Sequence, residues 1–340
     1  MYIPNTKWTW SFVIVATIQA CIILAFESYV FARFQLQLEP EATEANESKT
    51  IPTFLTLYIF GFVYELVLVY DALRLKNTIQ VIGLCICNVG LLIYGAVQVD
   101  EIKQAVGNLG AYDPPRITGN VWHELKGFLI AIPCIIAFAT VLMAFLAWKL
   151  YDEFAWTIYK HISADLRMKR RYLTYQIYIA LLKFDFFFFL GFTVQFVVIV
   201  IDTKSLEFAL TLVAIPITIL ILLMAAFFTR RENLAGTIPV ILLYFGGLAY
   251  FLFKLVRMYS PERREQYLPA RRSLSFFAVI TIILIIMTII NACVCAHNFN
   301  KGLKPHISSK RSLNRAGKGE GTELHGVMSP GRMPTRMTID

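Results

Sequence analysis

Eight apolar stretches, each long enough to cross a bilayer as a helix, run through this chain near residues 10–32, 52–72, 78–99, 126–148, 176–201, 207–228, 236–256 and 275–297. A hydrocarbon core of roughly 30 Å takes about 20 helical residues to cross. In lipid, every backbone N–H and C=O has to be satisfied within the segment or around a closed barrel. The stretches are continuous rather than alternating, which selects helices over barrel strands. The fold class that follows is all-α: a polytopic transmembrane helical bundle of about eight spans. Residues 1–297 form the transmembrane helical domain, and 298–340 a basic, disordered tail. No internal sequence repeat is visible, so an inverted-repeat transporter gains no support.

Charged residues make up only 16% of the chain, against about 25% in a soluble domain. The net charge of +9 sits in loops and in the tail. There it faces an anionic leaflet and fixes orientation, so no nucleic-acid partner is expected. The six cysteines all fall inside apolar stretches, which argues against a disulfide-stapled lumenal domain. The pairs Cys85/Cys87 and Cys293/Cys295 lack nearby ligands to complete a metal site. They read as packing residues, with palmitoylation of Cys293 and Cys295 as the alternative. The first stretch is followed by no small-residue cleavage site and reads as a retained anchor.

Basic residues set the orientation. With the N-terminus cytoplasmic, 19 Lys and Arg lie on the cytoplasmic side against 12 on the other. Both termini are then cytoplasmic. The acidic 33–51 loop becomes lumenal, and with it the chain's glycosylation sequon, Asn46-Glu47-Ser48. One loop disagrees. The segment after the seventh stretch carries Lys254, Arg257, Arg263, Arg264, Arg271 and Arg272, and eight spans place it in the lumen. Either the 257–274 loop is an exception to the rule, or one stretch does not cross and seven spans remain.

Residues 151–171 are the most informative polar stretch. Tyr151, Ala155, Ile158, Ile162 and Leu166 recur at helical spacing. Trp156 and Tyr159 flank a basic end made of Arg167, Lys169, Arg170 and Arg171. An amphipathic helix of this kind suits the cytoplasmic membrane surface; the plainer alternative is a positive topology anchor before the fifth span. The tail holds eight Lys and Arg against three acidic residues, with no apolar periodicity.

Ionisable residues inside spans are costly and therefore mark candidate sites. Asp71 has an interfacial partner available in Arg74. Glu65, Lys183 and Asp185 do not. Counting at 1.5 Å per residue, Glu65 and Lys183 both lie roughly 10 Å inside the cytoplasmic ends of their spans, and Asp185 roughly 13 Å. The expected arrangement is a Glu65–Lys183 interhelical contact with Asp185 close by. It serves either as a structural staple or as a site for a proton, an ion or a small polar ligand. Asn88 and Gln195 are expected to make interhelical hydrogen bonds.

His123-Glu124-Leu125-Lys126-Gly127 begins like a zinc-protease helix, but Gly127 stands where the second His belongs. No phosphate-cradling loop and no nucleophile elbow occurs. The chain is therefore expected to be neither an enzyme nor a cofactor carrier.

Three stretches resemble the fungal family of uncharacterised Golgi apparatus multi-pass membrane proteins. They are Tyr151-Asp152-Glu153-Phe154 with the basic helix that follows, the run from Lys183 through Phe189 on to Gly191–Phe196, and the closing Arg336-Met337-Thr338-Ile339-Asp340. The resemblance implies Golgi membrane residence and supplies no catalytic residues. Two roles remain. The first is membrane organisation or trafficking through the basic helix and tail. The alternative is a small-solute or proton-coupled transporter, or a ligand-binding receptor, built on Glu65, Lys183 and Asp185.

Overall fold

The computed structural model of the chain describes residues 6–38, 50–111, 117, 121–161, 166–200, 206–260 and 271–299. The described residues form eight α-helices: α1 (Lys7–Gln37), α2 (Thr50–Leu75), α3 (Thr78–Gly110), α4 (Val121–His161), α5 (Leu166–Gln195), α6 (Leu206–Arg231), α7 (Leu234–Met258) and α8 (Arg271–His297). A π-helical turn over Phe196–Val200 extends α5. All eight helices are long and apolar enough to cross a membrane. They overrun the apolar stretches because hydropathy marks only the part that lies in hydrocarbon. α3, with 33 residues, is about 50 Å long at the helical rise. Asn46 and, beyond Phe299, the tail lie outside the described residues.

Local chemistry sets the helix starts. Thr6 caps α1 through a reciprocal box with Thr9, the two N–H···Oγ1 bonds measuring 3.2 and 3.3 Å. The Asn77 side chain accepts from the backbone N–H groups of Ile79 and Gln80 at the start of α3. α2 reaches α3 through Lys76, whose φ of 49° is left-handed. The Lys76 and Asn77 N–H groups return to the Leu73 and Ala72 carbonyls. The same turn joins α6 to α7: Glu232 has a φ of 53°, and Glu232 and Asn233 bond back to Thr229 and Phe228.

The two halves share more than that turn. In the first, α1 packs on α2, α2 on α3, α3 on α4, and α4 back on α1. In the second, α5, α6, α7 and α8 close a ring in the same order. The rings join where α5 meets α2 and α3, and where α8 meets α3. The structure thus holds two four-helix rings that the sequence does not announce as a repeat.

The phenylalanine run of α5 fills that junction, and glycines admit it. A Cβ on Gly83 would stand 2.4 Å from the Phe184 ring. Phe188 lies against Gly90, and Phe187 against Gly61 and stacked near Tyr64. On the other side, Phe188 meets Phe277 of α8, and Phe189 meets Phe251 of α7. Small residues facing large rings give close helix packing where lipid provides no hydrophobic drive.

The helix layout bears on two expectations. Of the 151–171 stretch, residues 151–161 continue α4, Leu166 opens α5, and 162–165 lie outside the described residues. No Gly or Pro interrupts α4 after Pro133, so its helix runs on; a 3.6-residue apolar period cannot tell the end of a span from a surface helix. The basic segment before α8 stands at the same end of the bundle as the 33–51 loop. There Arg272 pairs with Asp100, and the Ser273 N–H donates to Glu101 at 3.0 Å. At that end too, Arg33 pairs with Glu124 at 2.6 Å, and Leu38 bridges Ile117. Thr6 meets Glu153 at the opposite end. All eight helices are long and apolar enough to span, and the start of α8 lies at the same end as the start of α2.

Candidate intramembrane polar site

Lys183 does not pair with Glu65. Its ammonium reaches Asp71 of α2 and donates to Gln80 Oε1 of α3 at 2.8 Å. Gln80 in turn donates to the Leu68 carbonyl at 2.9 Å and to Asp71 Oδ2 at 3.3 Å. The Tyr64 hydroxyl donates to the Lys183 carbonyl at 2.9 Å. One network thus ties α2, α3 and α5 together. Asp71, expected to pair with Arg74, is committed to Lys183 instead. The physical reason is the reach of lysine: its Cα sits at the depth of Glu65, but its four-carbon stem carries the charge toward the interface, where Asp71 and Gln80 lie. The pair is accordingly part-exposed, at 24% for the Lys183 side chain and 34% for Asp71.

Glu65 is 4% exposed and has one carboxylate oxygen without a hydrogen-bond partner. It lies within electrostatic reach of Cys85 and Cys87 on α3. Asp185 faces the other ring. Thr288 of α8 donates to its Oδ2 at 2.7 Å, and its Oδ1 has no partner. The expected three-residue cluster is therefore three separate environments, of which only that of Lys183 is a closed ion pair.

The polar residues expected to join helices do so. Asn88 exchanges amide hydrogen bonds with Gln19 of α1 at 2.7 and 3.1 Å. Gln195 donates to the Tyr94 hydroxyl at 2.9 Å. A further bond of this kind, which the sequence reading passed over, runs from Gln98 to Glu27 at 2.6 Å. Glu27 lies near the end of the first apolar stretch, and its place beside α3 supplies the partner. Arg167 and Arg170 are exposed at the start of α5, with Lys169 and Arg171 half-buried. Trp156 and Tyr159 lie on the extension of α4, their side chains outside the described residues. Cys293 is exposed, whereas Cys295 is buried and approaches the Thr174 carbonyl at 3.8 Å.

At the end of the bundle near the 33–51 loop, a groove of about 630 Å³ lies between α3, α4 and α8. It is lined by apolar residues such as Ile93 and Ile130, by Lys103, Lys126 and Trp122, and by the paired Arg272 and Asp100.

No family model and no solved structure matches this chain. A curated relative does. The chain is 36% identical over 318 residues to a UPF0658 Golgi apparatus membrane protein of Schizosaccharomyces pombe, a match covering 87% of this chain and 88% of that protein. The expected resemblance is thereby established, and the chain belongs to that family of Golgi apparatus membrane proteins.

Proposed function

We propose that this chain is a Golgi-resident, non-enzymatic membrane-organising or trafficking factor with both termini cytoplasmic, and that it acts on anionic lipid through its basic surface. The observation that carries this reading is the closed network of Lys183, Asp71 and Gln80. Lys183, the cation of the candidate cluster, is committed to holding α2, α3 and α5 together. The reading turns on the basic residues at the bundle ends. Arg167, Lys169, Arg170 and Arg171 stand at the end from which α1 starts and at which α8 finishes. Each basic residue near an anionic surface contributes roughly 1 kcal/mol. The majority of Lys and Arg on that side supports its cytoplasmic assignment. The groove at the other end, with Lys103 and Lys126 among its lining residues, offers a second place for a lipid headgroup and chain.

The test replaces Arg167, Lys169, Arg170 and Arg171 by Gln in the full chain. The variant is expected to insert and reach the Golgi but to lose enrichment of anionic over zwitterionic lipid in co-purified annular lipid, and to lose its effect on Golgi morphology or cargo flux. Unchanged lipid enrichment and unchanged activity would remove the basis of the proposal.

A further inference from the structure

Asp185 lines a cavity that the Lys183 network does not touch. The cavity measures about 240 Å³ and lies between α5, α6, α7 and α8. Its carboxyl group is unusual in its surroundings. Asp185 is 5% exposed, one carboxylate oxygen is taken by Thr288, and the other is bare. A buried acceptor without a donor is unfavourable, and the Tyr244 hydroxyl, which also lines the cavity, has no partner either, so the polar groups here are left open to a ligand.

The walls say what kind of donor. Phe189, Tyr244, Tyr250 and Phe251 all line the cavity, and aromatic faces attract cations, most strongly where water is scarce. Among the described residues, no Lys or Arg lines it. Lys254 sits above the Phe196 ring at 3.9 Å and is 5.7 Å from the Tyr250 ring, outside the lining. A bare divalent cation takes about six oxygen ligands. This cavity offers one carboxylate and scattered hydroxyls among apolar walls, which suits an organic ammonium better than a metal ion. The way in is lateral. Gly246 and Gly247 of α7 have open space where a Cβ would stand. The lining residues Leu243 and Gly246 are exposed on the face that meets lipid.

We propose that this cavity binds an amphipathic organic amine in its protonated form, entering from the bilayer between α6 and α7. The ammonium donates to Asp185 Oδ1, and the apolar body packs against Phe189, Tyr244, Tyr250 and Phe251. The inference is independent of the membrane-organising role, because it uses no residue of the basic surface.

The experiment uses the full chain in zwitterionic nanodiscs, with 4-phenylbutylamine as probe and 4-phenylbutanol as its neutral counterpart. Binding is read by equilibrium dialysis and by the thermal midpoint. The amine is expected to bind saturably, at least about tenfold tighter than the alcohol, as a charge-assisted contact requires. Asp185→Asn is expected to erase that preference. Gly247→Leu, which fills the cavity and leaves Asp185 in place, is expected to abolish amine binding while the unliganded protein melts as wild type does. Equal binding of amine and alcohol to the wild type, amine binding that survives Gly247→Leu, or no amine binding by the folded wild type would each overturn the proposal.

Discussion

Lys183 shows how a single side chain decides its own partner. Its ion pair with Asp71 is part-exposed, so breaking it costs less than the 3–5 kcal/mol of a fully buried pair. Lys183→Met is expected to destabilise the purified protein by about 1–3 kcal/mol, because Asp71 and Gln80 lose their donor. Adding Asp71→Asn should recover much of that loss. Combining Lys183→Met with Glu65→Gln should give simply additive effects. Thermal melts arranged as two double-mutant cycles check both statements, and coupling between Glu65 and Lys183 would contradict the geometry. The Gln19–Asn88 pair is a second case at this scale. Asn88→Ala is expected to cost about 0.6–1.7 kcal/mol, the range for interhelical hydrogen bonds in membranes. The existence of these bonds was legible in the sequence, since a polar side chain in lipid needs a partner. The identity of each partner was not, because depth along a helix says nothing about rotation around it.

At the level of the helix, glycine positions separate packing from propensity. Gly83→Ala drives a methyl into the Phe184 ring and is expected to lower stability by about 1–3 kcal/mol. Gly107, near the end of α3, has open space around the added carbon. Gly107→Ala should be neutral or slightly stabilising, by up to about 1 kcal/mol, through helix propensity alone. Melting curves of the two variants measured side by side distinguish these cases. The paired turns make a similar contrast. Asn77 caps α3 with its side chain, whereas Asn233 makes no side-chain cap on α7. Asn77→Ala should therefore cost about 1 kcal/mol, and Asn233→Ala clearly less, as thermal denaturation in one detergent would show. Each of the eight apolar stretches falls on one of the eight helices, most of which extend beyond it at one or both ends. Apolar periodicity in residues 151–161 did not by itself distinguish a continuation of α4 from a surface helix.

Across the whole molecule, the chain alternates through eight helices and builds two rings that pack through α5. Sidedness is a property of this assembly and can be checked directly. In a chain freed of its six native cysteines, single cysteines at positions 76 and 232 are expected to react with an impermeant thiol reagent from one side. A cysteine at position 260 is expected to react only from the other. Labelling of positions 76 and 260 from the same side would break the eight-span alternation.

By itself the sequence determined that this chain is a helical membrane protein, where its spans lie and which loops share a side. Those are local properties: each helix satisfies its own backbone, and about 20 apolar residues suffice to cross lipid. Three features were decided only by tertiary structure: the choice of Asp71 over Glu65 for Lys183, the glycine seats for the phenylalanine run, and the cavity beside Asp185. Each depends on which helix faces which and at what rotation, and van der Waals fit between helices, rather than hydropathy along them, sets that choice.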